Sequence, residues 1–445
     1  MHEPLILSLS DNNWLEVNSE KKEINNFIKA IANKSLNELH EKNPHLLIFP
    51  DSFNATVKNL DKEKILKWDG QKLYAGNIMG FIGKGEVKLH IRSRFDKDDR
   101  QYFLHYLLSK VTGVHLVDLK NAAGKDDVFS FLMYLIFFTY LNKALRQGLF
   151  KKYVRRHYNE PHVKGVIDVA AHIRQNVPFT GKIAFTTREF SFDNPVMQLI
   201  RHTIEHIQQS KYFKFLSNRA EMWENIRLVK FNTPSYTRQH RWKVIQQNLK
   251  PVHHPYFTAY EPLRKLSLKI LQEEGYAYGK SRDEVEGILF DGAWLWEEYL
   301  NTILKPLHFK HPENKNKKGG IYLFRTHERV YPDFYSRESK TVIDAKYKKL
   351  DDNKPNREDL YQLITYMHIL CAEKGMLIYP VSNNNGKNDQ RLGTLNGYGG
   401  DIWMYKFPVP AKAGDFNEFQ DWMKKNEIGL REHIMQMRNE ILKSY

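Results

Sequence analysis

Thr341-Val-Ile-Asp344-Ala-Lys346-Tyr-Lys348 decides how the last third of this 445-residue chain is read. Its side chains alternate faces if it runs as a strand from Thr341 to Lys348. Ile343, Ala345 and Tyr347 then form an apolar face. Val342, Asp344, Lys346 and Lys348 form the other, with one carboxylate beside two ammonium groups. A solvated, salt-bridged strand has this look. So does a reactive site, because charges are rarely buried unless they are paired or bind metal.

The neighbouring sequence bears on that choice. Tyr331-Pro332-Asp333-Phe-Tyr335 lies just upstream, in a strand expected over Arg329 to Tyr335. Proline cannot donate to a central ladder and marks an edge or a bulge, and Asp333 follows it directly. Carboxylates on adjacent strands can converge on one hard cation. Phosphodiester cleavage uses such a cation to neutralise phosphate and to activate water, and an adjacent lysine can orient that water or help to deprotonate it. A helix is expected over Gly287 to Leu304, and a strand over Ile321 to Arg325. On the helix, Glu297 is in register with Ala293, Leu300 and Leu304, whereas Glu298 is in register with Asn301, Thr302 and Lys305. An inward carboxylate needs a partner: a metal shared with Asp333 and Asp344, or a buried lysine. A second helix over Arg357 to Ala372 brings Gln362 and Tyr366 to one face. The two can contact a phosphate or the lysine, or stand as polar boundary residues. An apolar strand follows from Gly375.

Further out, the chain carries 68 Lys and Arg against 52 Asp and Glu, a net charge of +16. Phe131 to Tyr260 holds 20 basic and 7 acidic residues, so most of the excess sits mid-chain. Aromatics are interleaved there, in Lys151-Lys-Tyr-Val-Arg155-Arg156-His-Tyr158, Lys211-Tyr-Phe-Lys214 and Arg238-Gln-His-Arg241-Trp-Lys243. Basic groups neutralise phosphates and rings stack on bases, which points to DNA as a partner. The single cysteine, Cys371, excludes an intrachain disulfide and a Cys/His zinc pattern, and suits the cytoplasm. No signal-peptide pattern opens the chain. Its longest apolar run, Val128 to Tyr140, is too short for a bilayer span and reads as part of a buried helix over Val128 to Leu149, so no membrane is expected. Asn194 to Gln209 also has helical spacing. Lys72-Leu-Tyr-Ala-Gly and Gly85 to Arg92 alternate as strands, with Gly76, Gly80, Gly83 and Gly85 read as turns. Gly83-Lys84 fails as a phosphate loop, since Ile78 stands where the first glycine belongs and Gly85 follows the lysine. This chain is expected to bind no nucleotide.

Together these residues resemble the PD-(D/E)xK nuclease superfamily: Pro332-Asp333, ten residues, then Asp344-Ala-Lys346, with a helix glutamate upstream and Gln362-x-x-x-Tyr366 downstream. Leu295-Trp-Glu297-Glu-Tyr-Leu, Val342 to Lys348 and Asp359-Leu-Tyr-Gln362-Leu are similar to segments of McrC, the nuclease subunit of McrBC modified-cytosine restriction systems. So are Gly148-Leu-Phe-Lys-Lys-Tyr, Lys164-Gly-Val-Ile-Asp, Glu189-Phe-Ser-Phe-Asp193-Asn-Pro and the β-rich stretch Tyr74 to Arg94. The first 70 residues carry the least of the likeness. The resemblance implies Mg²⁺, with Mn²⁺ able to take its place, held by Asp333, Asp344 and Glu297, and Lys346 acting on the attacking water. It also implies a partner, the hexameric McrB-type AAA+ ring that hydrolyses GTP, and makes Gly80 to Arg94 a candidate contact with it.

The expected fold is α+β and multidomain: a β-rich region over 1–125, a mainly helical basic region over 126–280, and a restriction-endonuclease-like α/β domain with a mixed sheet over 281–445. Gly275 to Arg282 marks the second boundary. The leading function is a Mg²⁺-dependent DNA endonuclease subunit driven by the ring and acting on modified-cytosine or foreign DNA. A non-enzymatic DNA-binding adaptor of the ring and a self-sufficient nuclease are the alternatives.

Overall fold

The computed structural model describes residues 5–17, 21–35, 38–39, 43, 46–49, 64–96, 100–112, 125–210, 213, 220–276, 285–312, 319–350, 354–382, 386–397 and 399–442. The N-terminal segment supplies β1 (Leu5–Ser10), β2 (Asn13–Glu16), α1 (Lys22–Ile31), β3 (Leu46–Phe49), β4 (Leu66–Trp68), β5 (Lys72–Ala75), β6 (Ile78–Lys84), β7 (Val87–Arg92) and α2 (Tyr102–Thr112). The middle supplies α3 (Lys125–Leu145), β8 (Lys152–Glu160), β9 (Val166–Ile167), α4 (Val169–Asn176), β10 (Ile183–Ser191), α5 (Pro195–Gln209), α6 (Ala220–Phe231), α7 (Arg241–Gln247) and α8 (Tyr260–Tyr276). The C-terminal segment supplies β11 (Glu286–Asp291), α9 (Gly292–Leu304), β12 (Ile321–Tyr322), β13 (Arg329–Val330), β14 (Phe334–Ser336), β15 (Thr341–Ala345), α10 (Arg357–Leu370), β16 (Lys374–Val381), β17 (Asp389–Thr394), β18 (Asp401–Pro408) and α11 (Phe416–Leu442). The described chain is thus mixed α/β, with several sheets.

It divides into two compact units, not three. One joins Met1–Val117 to Ser281–Tyr445, and the other is Asp118–Lys280. The join is made by β11. Gly287 to Asp291 does not open the helix, as its spacing predicted, but runs as a strand between β6 and β3 of the N-terminal sheet, whose order is β1-β7-β6-β11-β3. Gly287-Ile-Leu-Phe is a short apolar run that helical and strand periodicity fit equally, and two waiting ladders take it as a strand. Gly80 and Gly287 make that crossing possible. A Cβ on Gly80 would lie 2.0 Å from the Ile288 carbonyl oxygen, and one on Gly287 2.3 Å from that of Phe81. Gly80 is therefore a strand residue at close backbone approach (φ 137°), and Gly83 also lies within β6. Neither is a turn. The hairpin turn falls at Gly85 (φ 58°) instead.

The second sheet of this unit has the order β14-β15-β16-β18-β17 and is mixed: β15, β16 and β18 are parallel, with β14 and β17 antiparallel at the edges. Pro332 splits the strand expected over Arg329 to Tyr335 into β13 and edge strand β14. β15 is buried on both faces, so the Val342–Asp344 side is core and not a solvated face. It also ends at Ala345, and Lys346 to Lys348 continue as irregular chain. A further buried link ties the segments of this unit together: Glu427 of α11 accepts from Tyr106 (2.7 Å) and Lys110 (2.8 Å) of α2 and from Tyr299 (3.1 Å) of α9.

In the other unit, α5 starts where Asn194 caps it, accepting from the Val196 and Met197 amides, with Pro195 in the first turn. The helical region also holds a sheet of order β8-β10-β9, in which β8 and β10 pair over nine residues each. β8 is the basic stretch Lys152–Glu160, wet enough on both faces to lack a hydrophobic alternation. Most of Lys211 to Lys214, most of the boundary at Gly275 to Arg282 and part of the Ser382 to Asn388 loop lie outside the described residues. Among the described residues no helix is long and apolar enough to cross a membrane.

Candidate active site

Asp333, Asp344 and Lys346 meet on one cleft of about 580 Å³, which Glu297 and Gln362 also line. Asp344 arrives on β15. Asp333 arrives on the irregular residues before β14, and its Oδ2 accepts from the Ala345 amide at 2.8 Å. Glu297 comes from α9, started by Asp291, whose side chain accepts from the Ala293 (2.9 Å) and Trp294 (3.2 Å) amides. Leu295, Trp296, Tyr299 and Ile303 are buried away from Glu297, Leu300 and Leu304 are buried in register with it, and together they fix the rotation of that helix.

Both aspartates are nearly inaccessible, at 7% exposure for Asp333 and 1% for Asp344. Burial, and then the Glu297 charge, push Asp333 up to about 7. Burial, and then the charge of Asp333, hold Asp344 well above the usual carboxylate range. The Lys346 ammonium lies 2.5 Å from Asp344 Oδ2 and donates to Gln362 Oε1 at 2.6 Å. Burial works against its charge, but Asp344, Asp333 and Asp359 outweigh burial and raise the lysine above its ordinary 10.5. Without a bound cation the lysine is therefore held as an ammonium, a hydrogen-bond donor. Gln362 in turn donates to the Tyr366 hydroxyl at 3.0 Å. Gln362 and Tyr366 thus form a chain that holds the lysine.

The charge count of the cleft favours a cation. Glu297, Asp333, Asp344 and Asp359 face Lys346, Lys348 and Arg94, which leaves one negative charge in excess when all are ionised. All four donors are carboxylates, the chemistry a hard divalent ion prefers. The three carboxylates expected to hold it do not form a closed cage, however. Among the described residues no group of three or more His, Cys, Asp or Glu stands ready to hold an ion. Asp333 and Asp344 are adjacent, and Glu297 faces them from the cleft wall. That fits an ion that keeps part of its water shell.

Several contributors escaped the sequence reading. His311 Nδ1 donates to the Asp333 carbonyl at 2.7 Å, while its ring stacks on Phe334 at 4.6 Å and its Nε2 lies 3.8 Å from Glu298. Asn12, Asn77 and Arg94 of the N-terminal segment line the same cleft. Arg94 is fixed by Asp11, through Nε at 3.0 Å and Nη2 at 2.6 Å. Tyr347 also lines the cleft, and it reaches into the N-terminal segment, where its hydroxyl meets Ser93 Oγ at 2.8 Å and its ring meets Phe95 edge to face at 5.3 Å. Asp359 lies three residues before Gln362 on α10, and that spacing alone places the two on one face.

Fold and cleft together define a mixed α/β protein with a buried carboxylate pair and an ammonium at the end of a central strand. The family model described as McrBC 5-methylcytosine restriction system component matches residues 73–380, and the chain belongs to that family. Among solved structures, it is similar to a refined half-complex from the tetradecameric assembly of Thermococcus gammatolerans McrB AAA+ hexamers with bound McrC. That match has 16% identity and a TM-score of 0.47, and covers 94% of this chain and 99% of the other. The cryo-EM structure of the Thermococcus gammatolerans McrBC complex matches at 17% identity and a TM-score of 0.29, over 69% of this chain and 89% of the other. No curated protein matches.

Proposed function

We propose that this chain is the DNA-cutting subunit of an McrBC-type restriction system, a metal-dependent endonuclease of the PD-(D/E)xK class driven by an AAA+ GTPase ring of the McrB type. The observation that carries this is the convergence of Asp333, Asp344 and Lys346 on one cleft in a chain of the McrBC family. Asp333, Asp344 and Glu297 would hold Mg²⁺ (or Mn²⁺), and the bound ion would lower the pKa of a water and offset phosphate charge. Lys346 donates to the attacking water or to a phosphate oxygen, and so orients the in-line approach. Gln362 and Tyr366 fix the ammonium between them and Asp344. The basic excess of residues 131–260 supplies sequence-independent attraction to the DNA backbone. The substrate is modified-cytosine or foreign DNA, chosen by the partner, and nucleotide is bound there and not on this chain.

The test is cleavage of methylated DNA by the chain assembled with its ring, GTP and Mg²⁺. Lys346→Ala and Asp344→Asn should each cut the rate by about 100-fold or more while the ring still hydrolyses GTP. Unchanged cleavage by Lys346→Ala overturns the site. A wild-type complex that never cuts makes the chain a DNA-binding adaptor of the ring. Cutting by the purified chain without ring or nucleotide makes it a self-sufficient nuclease.

A further inference from the structure

Lys348 is the second ammonium on the cleft, and the mechanism above leaves it unused. Its Nζ lies 2.7 Å from Asp359 Oδ1 and 2.6 Å from Oδ2, so one carboxylate grips it with both oxygens. The same Oδ1 is 3.8 Å from the Lys346 ammonium, so Asp359 sets the separation of the two lysines. Asp359 is itself fixed. It is 5% exposed and accepts from the buried Tyr379 hydroxyl at 2.7 Å, and its amide donates to Asn356 Oδ1, the cap of α10. Burial and the Asp359 carboxylate push the Tyr379 phenol far above its ordinary 10, so it remains a donor. Lys348 differs from all of these in being accessible, with 37% of its side chain exposed on the cleft.

We propose that Lys348 is a phosphate-binding residue for the DNA backbone beside the scissile bond, and that Asp359, held by Tyr379, positions it. The inference rests on the nuclease reading of the cleft. An ammonium has three donors. Asp359 occupies up to two and leaves the cleft side free for a phosphate oxygen. A lysine already held in place loses less side-chain freedom on binding than a solvated one. A purely structural pair would pin the irregular chain after β15 to α10 and have no part in DNA binding.

The distinguishing readout is the salt dependence of DNA binding by the full chain in EDTA, where no cleavage occurs. A duplex is titrated over a range of KCl, and log K is plotted against log[KCl]. Lys348→Gln should weaken binding and flatten the slope by about 0.9, the value of one lost phosphate contact. Lys348→Arg should keep the wild-type slope, which guards against a folding defect in the first variant. Asp359→Asn should also keep the slope, yet lower kcat for cleavage by the assembled complex roughly tenfold with little change in KM, because the charge is retained but misplaced. A wild-type slope in folded Lys348→Gln overturns this inference and leaves the nuclease reading intact. If the wild-type chain shows no salt-dependent binding to DNA, both fall.

Discussion

Neutralising Asp333 should stabilise the metal-free protein. The carboxyl is buried beside Asp344 and within reach of the Glu297 charge, and it is pushed up from 3.8 to about 7. For an acid whose pKa is raised by folding, the charged form is the strained one. Its penalty is absent below pH 4, grows as pH rises from 3.8 to 7, and is complete above that. The interval corresponds to about 4 kcal/mol at pH 8, and under 2 kcal/mol at pH 5. At 7% exposure little solvent screening reduces it, although relaxation of the neighbours makes it an upper limit. In Asp333→Asn the amide oxygen can still accept from the Ala345 N–H, and the amide nitrogen can donate to Asp344. The backbone bond is then kept while the repulsion is lost.

The assay is calorimetry of the full chain in EDTA at pH 8 and pH 5, followed by titration with Mg²⁺. Asp333→Asn should melt higher than wild type at pH 8, by roughly 5–10 °C for a unit of this size, and the gap should narrow at pH 5. Mg²⁺ should raise the wild-type transition and leave the variant nearly unmoved, because the ion stabilises only the form that binds it. A variant that melts lower than wild type in EDTA at pH 8, or a gap that widens toward pH 5, would refute the electrostatic account of the cleft.

Two further outcomes follow from the packing. A Cβ on Gly292 would lie 2.6 Å from the Tyr347 ring, which Ser93 and Phe95 box in, so Gly292→Ala should cost about 1–3 kcal/mol despite the better helix former, read as a lower melting transition. In the other unit His202 is 4% exposed, and burial, then Arg241, His240 and Arg201, lower its pKa from 6.5 to about 4. The unfolded chain therefore takes up a proton that the folded one refuses as pH falls below 6.5, and α5 should lose about 2 kcal/mol of protection from hydrogen exchange between pH 7 and pH 5. His202→Gln should flatten that dependence.

The candidate site was legible because its residues are local. Asp333, Asp344 and Lys346 lie within 14 residues of sequence, and a period of two already puts Asp344 and Lys346 on one side of a strand. The two helices announced themselves through spacing, although the first was read as starting at Gly287 and its Asp291 cap went unread. What stayed hidden depends on contacts distant in sequence. Nothing local tells Gly287-Ile-Leu-Phe that its ladders are β6 and β3. Asp11 and Arg94 look like surface charges until the fold buries them together, 83 residues apart. β8 was missed for the opposite reason. Its burial alternates too weakly to leave a hydrophobic period, and its ladder with β10 does the ordering. Tyr347 shows how parity can mislead: it lines the cleft with Lys346 and Lys348, and the apolar surface it enters belongs to the N-terminal segment.

That last contact bears on whether the cleft can exist without the first hundred residues. The cleft lies where two distant segments meet. Asn77 accepts from the Gly292 amide through its carbonyl at 2.9 Å and so fixes the start of the helix that carries Glu297. Ser93 and Phe95 fix Tyr347, between the two lysines. β11 is flanked on both sides by N-terminal strands, and its Ile288, Leu289 and Phe290 are 0%, 0% and 2% exposed. A fragment of residues 281–445 would strip both ladders from β11 and uncover Leu289, which packs in the N-terminal core, at roughly 1.5–3 kcal/mol for that side chain alone. With the backbone groups of β11 left unpaired as well, this is a large share of the stability of an ordinary domain, about 5–15 kcal/mol. The fragment should therefore show no cooperative melting and no slow-exchanging amides in β16, although it holds Glu297, Asp333, Asp344 and Lys346. A fragment that melts cooperatively with β16 protected would restore an independent C-terminal domain. Failure to fold would mean that whatever engages the N-terminal sheet also acts on the walls of the cleft.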